Sequence, residues 1–233
     1  MLLSRIFLLL LPTLALALLG FWQLGRGQEK AALLAQIQQS QTAEVLQLAD
    51  TYAINLTADR YRPVRLHGHY QANRQILLDN QLHQGRAGFL VLTPFVLQDS
   101  ANVVLVNRGW IPWPARREQQ PDISLTEPVT TLTGRINRFP DVGIRLQGAT
   151  EPSPGWPSRV GVIDPERLAR HLEASIAPFQ IELAPAEPQG YLRDWHTPMP
   201  MPPEKHQAYA VQWFGLALTW PVLLTLYRRR KHS

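Results

Sequence analysis

The sequence contains no cysteine among its 233 residues. This absence excludes a disulfide-stabilised scaffold, a thiolate-ligated zinc or iron–sulfur site and a cysteine nucleophile. Charged residues are also scarce, because they make up 18% of the chain, below the roughly 25% of an average soluble domain. The sequence signatures of nucleotide-binding loops, zinc proteases and serine hydrolases are missing as well. We therefore expect that the protein is not an enzyme.

The net charge of +5 is located at the two ends of the chain. Arg5 lies near the start, and four basic residues follow one another at 228–231. Residues 26–205 hold 18 basic and 18 acidic residues, so this central segment is neutral. The basic isoelectric point therefore indicates no nucleic-acid partner.

Two uncharged, apolar stretches are each long enough to cross a bilayer. Ile6–Gly25 has 20 residues and Gln207–Tyr227 has 21, and a helix needs about 20 to cross the hydrocarbon core. Ala15-Leu-Ala17 also fits a signal-peptide cleavage site, but the apolar run continues beyond it, which favours an uncleaved anchor. We predict transmembrane helices over 6–25 and 206–227, in contact with membrane lipid.

Basic residues predict the orientation of the two spans. The basic cluster that follows the second span favours a cytoplasmic C-terminus by the positive-inside rule. Two spans then place both termini, residues 1–5 and 228–233, in the cytoplasm. No presequence precedes the first span, which favours a bacterial inner membrane over an organelle. Residues 26–205 are then predicted to form a periplasmic domain.

The segment between the spans has the composition of a β-rich domain. A helix is predicted over Gln28–Leu48 as a continuation of the first span, and Asp164-Pro165 predicts the start of a short helix that ends near Leu172. Runs rich in Val, Leu, Ile and Thr, bounded by turn-forming residues, predict strands. The predicted strands are Pro63–Tyr70, Gln75–Leu82, Phe89–Leu97, Val103–Pro112, Thr130–Asn137 and Phe179–Leu183.

Segments rich in Pro and Gly predict the connections. Arg138–Pro157 is predicted as a long loop, and Pro198–Pro203, with four prolines in six residues, as a stiff connector into the second span. The predicted fold class is an α+β membrane protein. Two transmembrane helices flank a β-rich extracytoplasmic domain, which is a small barrel or a sandwich.

Three histidines are candidates for metal binding. His67 and His69 lie two apart on a predicted strand and share a face, so they are either two ligands of a copper or zinc site or part of a polar strand face. His206 stands one residue before the second uncharged stretch. An ionisable residue at a membrane face can indicate a functional site, and His206 would then be a haem-iron ligand. The alternative is that His206 is an interfacial side chain that reaches toward the headgroups.

Helical spacing adds neighbours to His206 and a second group on the first span. His206, Tyr209, Ala210 and Trp213 share one face of the second span, and small residues on it would let a flat group or another helix approach. Trp22, Arg26 and Lys30 follow one another at intervals of four on the first helix. The basic side chains there either pair with a carboxylate such as a haem propionate or anchor the helix at the headgroups.

A series of short motifs runs through nearly the whole chain. The motifs are Gly20-Phe-Trp22-Gln23-Leu-Gly-Arg26 with Lys30, Gly68-His-Tyr70, Leu78-Asp79-Asn80, Gly85-Arg-Ala-Gly88, Leu92-Thr93-Pro94-Phe95, Val106-Asn107-Arg108-Gly109-Trp110-Ile111-Pro112, Trp156-Pro157, Trp195 and His206-Gln-Ala-Tyr209-Ala210-Val-Gln212-Trp213-Phe214. In their order and spacing they resemble the Surfeit locus protein family, first member (Surf-one), the assembly factors of cytochrome oxidase.

The resemblance implies a function and a cofactor. Family members assist assembly of haem–copper terminal oxidases, and bacterial members are implied to bind haem a transiently and to help deliver it to the catalytic subunit. The resemblance makes His206 the axial ligand of the haem iron. The residues expected to complete the cofactor site are Tyr209, Gln212, Trp213, Trp22 and Arg26. Expected partners are the oxidase catalytic subunit and haem A synthase.

One further motif and one further reading stay open. Asn107, Arg108, Gly109 and Trp110 are expected to bind the oxidase partner, with a structural ion pair of Arg108 as the alternative. The alternative function is a haem-independent membrane chaperone that holds an oxidase assembly intermediate by protein contacts alone. Tyr209, Gln212 and Trp213 would then line an interface with the client's helices.

Overall fold

The computed structural model describes residues 2–51, 53–98, 100, 102–116, 119–126, 128–140, 148–195 and 201–232. The chain divides into two compact units, each described here by itself. One unit joins the two ends of the chain, Met1–Gln36 and Thr197–Ser233, and the other is Ile37–His196.

The described residues form three helices and eight strands. In chain order these are α1 (Leu2–Gln41), β1 (Leu46–Leu48), β2 (Pro63–Tyr70), β3 (Ile76–His83), β4 (Arg86–Leu97), β5 (Val103–Pro112), β6 (Thr131–Asn137), β7 (Ser158–Val160), α2 (Pro165–Leu172), β8 (Ile176–Leu183) and α3 (Pro203–His232).

Two long apolar helices, α1 and α3, make up the unit that joins the chain ends. Both are long and apolar enough to cross a membrane, over Leu9–Gln41 and Pro203–Arg230. The buried residues of α1 in this unit follow a three-four spacing at Gly20, Gln23 and Gly27. The stripe on α3 begins with the same spacing and consists of Pro203, His206, Ala210 and Ala217. Such spacing is typical of two helices packed side by side along one seam.

Small residues bring the two helices close together along this seam. A Cβ atom at Gly20 would lie 2.6 Å from the ring of Phe214, so a larger residue would require that ring to shift. The rings of Phe21 and Phe214 meet edge to face with centroids 5.1 Å apart, a favourable aromatic geometry. Close approach of this kind is how apolar helices associate where no hydrophobic effect drives them.

The second unit is built on a closed five-stranded barrel. The strands lie in the order β1-β2-β6-β8-β5-β4-β3-β7, and an additional pairing of β2 with β4 closes a ring of β2, β6, β8, β5 and β4. Within this ring β5 and β8 are parallel, and the other neighbours are antiparallel. Of the two predicted architectures, barrel or sandwich, the barrel is the one observed.

Closure depends on β4, which changes partner along one edge. Its first part pairs with β3, and its last residues pair with β2, where Val96 lies opposite His69. A Cβ atom at Gly68 would overlap the carbonyl oxygen of Val96, so glycine permits the close approach of the two strands. β3 and β7 then extend the sheet beyond the barrel.

Three apolar clusters form the core of this unit. The largest fills the barrel with residues such as Leu66, Phe95 and Phe179. A second lies between the sheet extension and α2, whose Leu168 and Leu172 are fully buried. The third packs Phe89 and its neighbours on the other side of β4. α2 begins as predicted, because the Asp164 carboxylate accepts hydrogen bonds from the backbone N–H groups of residues 166 and 167.

Most predicted helices and strands are confirmed. The exceptions are short segments or element ends that pair with strands distant in the sequence. The helix predicted to reach Leu48 ends at Gln41, because Leu46–Leu48 pairs in parallel with β2 and Leu48 enters the barrel core. The short strand β7 was not predicted, and β8 begins three residues before the predicted Phe179. The described parts of the loop predicted over Arg138–Pro157 contain no helix or strand. Residues 141–147 of that loop and residues 196–200 around the proline-rich connector lie outside the described residues.

The barrel core yields a direct stability prediction. Leu66 is completely buried, whereas Leu82 on β3 is 74% exposed. We expect Leu66→Ala to lower the free energy of unfolding by about 2–5 kcal/mol, because it leaves a cavity in a packed core. Leu82→Ala is the matched control and is expected to change it by no more than about 0.5 kcal/mol. Urea titration of the full chain in mild detergent measures both, and equal effects would contradict the assigned core.

Candidate functional site at the helix pair

The centre of the helix pair is a hydrogen bond between two buried polar side chains. His206 Nδ1 lies 2.7 Å from Gln23 Oε1. His206 is 5% exposed and Gln23 is 8% exposed. A buried polar group costs free energy unless it is hydrogen-bonded, so each side chain satisfies the other across the seam.

The structure places the oxygen of the Gln23 amide, and not its nitrogen, against His206 Nδ1. An amide oxygen can only accept a hydrogen bond, so His206 donates its Nδ1–H to Gln23. In a neutral imidazole the other nitrogen, Nε2, then keeps its lone pair. Nε2 has no hydrogen bond within the described residues. The ring therefore presents one free ligand atom.

Small residues surround the imidazole. Gly27 of α1 faces it, and a Cβ atom there would lie 3.4 Å from the Cβ of His206. Ala210, one turn further along α3, is also buried. These small side chains let α1 and α3 approach each other closely at His206.

The other residues predicted for the cofactor site flank this pair. On α3, Tyr209 and Gln212 are exposed and Trp213 is half-buried. On α1, Trp22 is exposed, and the guanidinium of Arg26 lies 2.6 Å from the carboxylate of Glu29. Their positions leave the predicted cofactor roles as predictions.

The residues at the helix pair fit a haem ligand by their chemistry. Metal-ligating histidines almost always donate their second ring N–H to a nearby acceptor, which fixes the tautomer and the ring orientation. Gln23 is such an acceptor for His206. An apolar helix pair with tryptophan and tyrosine at its surface suits a macrocycle whose edges are apolar. Arg26 is a group that could pair with a carboxylate.

A second polar cluster lies inside the barrel unit around Arg108. The register of β4 and β5 shifts between Leu90 and Leu92, which leaves Arg108 and Gly109 together opposite Val91. This is a β-bulge, a feature that redirects a side chain. The Arg108 side chain is 1% exposed.

The buried guanidinium of Arg108 is held by neutral acceptors. It donates to Gln75 Oε1 at 2.9 Å, to the carbonyl oxygen of Ile123 at 3.1 Å and to the carbonyl oxygen of Gln189 at 2.8 Å. Its carbon also lies 5.0 Å from the centroid of the Tyr191 ring. Within the described residues no carboxylate forms an ion pair with it, so the structural ion pair predicted as the alternative is replaced by hydrogen bonds to amide groups.

Burial shifts the acid–base properties of this cluster. It lowers the pKa of the Arg108 guanidinium from its ordinary high value, while the nearby Tyr191 hydroxyl acts in the opposite direction. Burial raises the pKa of Tyr70 and of Tyr191, so both phenols stay neutral at physiological pH. Arg108 stays charged because a guanidinium does not lose its proton in proteins.

The neighbours of Arg108 also make internal contacts. The Gly109 N–H donates to Asn107 Oδ1, and Asn107 donates to Gln180 Oε1 on β8. Trp110 exchanges backbone hydrogen bonds with Leu192, and its indole N–H donates to the carbonyl oxygen of Gln81. The expectation that Asn107–Trp110 binds a partner stays a prediction, and the side chain of Arg108 is not at the surface.

The two histidines on β2 belong to no candidate metal-binding group in the described part of the chain. His67 and His69 are exposed on β2, and His67 Nδ1 lies 3.0 Å from the Thr131 hydroxyl. Among the described residues no group of three or more His, Asp or Glu side chains could hold a metal ion.

Three residues of these sites are absent from the sequence-based candidates. Gln23 appeared only as part of a motif, Gln75 only as the first residue of a predicted strand, and Tyr191 not at all. An uncharged polar side chain inside a predicted span is a signal for Gln23, because such residues usually face another helix. Gln75 and Tyr191 carry no comparable signal, since their contacts with Arg108 join distant parts of the chain.

The chain is similar to known proteins over most of its length. The sequence model of the SURF1 family matches residues 10–218. A SURF1-like protein of Rickettsia felis is 27% identical over 224 residues, covering 91% of each chain, and Surfeit locus protein 1 of Mus musculus is 28% identical over 239 residues, covering 90% of this chain and 71% of the mouse protein. The cytochrome oxidase assembly protein SHY1 of Saccharomyces cerevisiae is 33% identical over 94 residues, which are 40% of this chain and 24% of the yeast protein.

The two apolar helices and the β-barrel unit define a membrane protein with two helices at its ends and one β-rich domain between them. The chain belongs to the SURF1 family.

The internal contacts of Arg108 predict a structural role that can be measured. We expect Arg108→Ala to lower the free energy of unfolding by at least about 3 kcal/mol, because it removes several charge-assisted hydrogen bonds and leaves a cavity. Arg65→Ala on the exposed face of β2 is the control, with an expected change within about 0.5 kcal/mol. Urea titration of each full-length variant measures the free energy of unfolding. A small effect of Arg108→Ala would contradict the structural role and favour a binding role for Arg108.

Proposed function

We propose that this chain is an assembly factor for a haem–copper cytochrome oxidase and that it carries haem a as cargo, bound through His206. Family membership and the printed function of the yeast relative support the oxidase-assembly role. The haem part rests on one observation, the buried His206 whose Nδ1–H is donated to Gln23. In this role the protein binds and transfers a group and has no catalytic turnover of its own.

The residues at the helix pair divide the work of holding the cargo. His206 Nε2 would ligate the haem iron, the chemistry that a neutral imidazole supplies to haem. Trp213 and Tyr209 on α3 and Trp22 on α1 offer aromatic surface, and Gln212 offers a hydrogen-bonding group. The isoprenoid tail of haem a belongs in lipid, so a site on membrane-spanning helices suits it.

Arg26 is proposed to bind a haem propionate. Its guanidinium pairs with Glu29 in the helix pair, and both side chains are largely exposed. An exposed ion pair of this kind contributes only about 0–1 kcal/mol. Arg26 can therefore exchange Glu29 for a haem propionate at little cost in free energy. Its guanidinium would then form a bidentate pair with the propionate.

The proposed topology places the barrel where the oxidase site is assembled. Both termini lie in the cytoplasm and the barrel unit lies in the periplasm of a bacterial inner membrane. The partners are the oxidase catalytic subunit, which receives the haem, and haem A synthase, which supplies it. Residues 107–110 are proposed to support a partner-binding surface by shaping the strands next to them.

The second candidate is a haem-independent chaperone, and the same hydrogen bond favours it. The Gln23–His206 contact joins α1 to α3, so it would stabilise the helix pair even if no haem were bound. In that case the exposed Tyr209 and Gln212 would contact the client's helices.

The absorption spectrum of the purified protein distinguishes the two candidates. We expect the wild type, prepared in detergent from cells that make haem A, to show a Soret band and a shifted α band. His206→Ala should lose both bands because the iron loses its ligand. The same variant should lower the haem a content of the oxidase catalytic subunit in a deletion strain.

His69→Ala serves as the matched control, since this histidine is exposed on β2. It should leave the spectrum and the oxidase unchanged. A wild-type protein that restores the oxidase but never retains haem would support the chaperone instead. Normal oxidase assembly in the deletion strain, with no paralogue present, would contradict the assembly role itself.

The proposed topology is accessible to labelling because the natural chain has no cysteine. The single substitutions Ser4→Cys, Gln98→Cys and Ser233→Cys place one thiol in the N-terminal segment, in the central domain and in the C-terminal segment, respectively. A membrane-impermeant maleimide should label intact spheroplasts only at Gln98→Cys, in the loop between β4 and β5. Labelling at all three positions after permeabilisation confirms reactivity, and labelling of either terminus in intact cells would contradict the orientation.

A further inference from the structure

We infer that Gln23 is the positioning residue for His206, selecting the tautomer that carries its proton on Nδ1 and keeping Nε2 free for the iron. This inference rests on the proposed function, because it assigns a role at the same site. Gln23 lies on α1 and His206 on α3, so the two helices together orient the ligand atom.

The first support is the geometry of the hydrogen bond. The distance of 2.7 Å between His206 Nδ1 and Gln23 Oε1 is short for a neutral pair, and both side chains are more than nine-tenths buried. Inside a protein such a bond is stronger than it is in water. An imidazole with its proton on Nε2 would place a lone pair against the lone pairs of Oε1, which is unfavourable.

The second support is that α1 restrains the histidine at two points. Gly27 lies against the Cβ of His206, while Gln23, one turn earlier on the same helix, holds Nδ1. The close packing of α1 around the buried side chain and the hydrogen bond at Nδ1 together leave His206 little freedom in its two torsions. The direction of Nε2 is then set before any cargo arrives, which lowers the entropic cost of binding.

The third support is the chemical identity of the acceptor. A carboxylate in this place would raise the basicity of the imidazole more strongly, but a charge among apolar helices is expensive. A neutral amide orients the ring without adding charge. A ligand of moderate strength suits cargo that must be released again.

The first measurement uses the haem-free protein and tests the tautomer alone. The full-length chain with ¹⁵N-labelled histidine is examined by NMR in detergent, with the rings neutral, and the His206 signal is assigned from His206→Ala. We expect the wild type to carry its proton on Nδ1. Gln23→Leu should lose this preference and Gln23→Glu should keep it, while Gln28→Leu, an exposed glutamine of the same helix, should change nothing.

The second measurement is haem affinity for the same variants. Loss of a second-shell partner typically costs 10–100-fold in metal affinity. We therefore expect Gln23→Leu to weaken haem a binding by about that factor and to shift the iron–histidine stretching frequency. Gln23→Glu should restore tight binding, which a merely space-filling role would not produce, and Gln28→Leu should bind like the wild type.

The outcomes separate this inference from the proposed function. A wild-type His206 with its proton on Nε2 would overturn the inference whatever the haem result. The Nδ1 tautomer combined with unchanged haem affinity in Gln23→Leu would overturn the positioning role and leave His206 as the ligand. A wild type that binds no haem, although its tautomer is as expected, would overturn the haem proposal and with it the positioning of a ligand.

Discussion

Closure of the barrel depends on the change of partner along β4. Along one edge, β4 pairs with β3 at its start and with β2 at its end. Gly68 allows the backbones of β2 and β4 to come close enough for the second pairing. A closed ring has no open edge within it, which removes the main route by which sheets aggregate. The ring also encloses the largest apolar cluster and fixes β5 beside β4, so that the bulge at Arg108 points its guanidinium inward.

The two basic side chains that are buried among the described residues, Arg108 and His206, are both held by amide oxygens. Arg108 donates to the amide oxygen of Gln75, and His206 donates to the amide oxygen of Gln23. Glutamine satisfies a donor without adding a charge that would itself have to be buried. For Arg108 the result is a fixed structural cluster, because two backbone carbonyl oxygens accept further hydrogen bonds from its guanidinium. For His206 one ring nitrogen has no hydrogen bond within the described residues, and the proposed haem ligation uses that atom.

Local sequence patterns correctly predicted the long helices and strands with clear boundaries. They failed for the elements that form only by pairing with distant parts of the chain. β2 and β5 match their predicted bounds, β2 as a strand with alternating burial and β5 as an almost continuously buried one. β1 and β7 are three residues long and exist only because β2 and β3 lie beside them. His206 could be singled out from its place before an uncharged stretch. Gln23 could not be paired with it, since the register of two helices depends on which small residues face each other.

The hydrogen bond at the helix pair has a consequence for how the protein is made. Gln23 and His206 are 183 residues apart in the chain. At a synthesis rate of roughly 5–20 residues per second, about 10 to 40 seconds pass between the appearance of the acceptor and that of its donor. During this interval the first helix stands in the membrane with an unmatched amide. The bond therefore exists only in a finished, doubly inserted chain, and a truncated or half-inserted product lacks it.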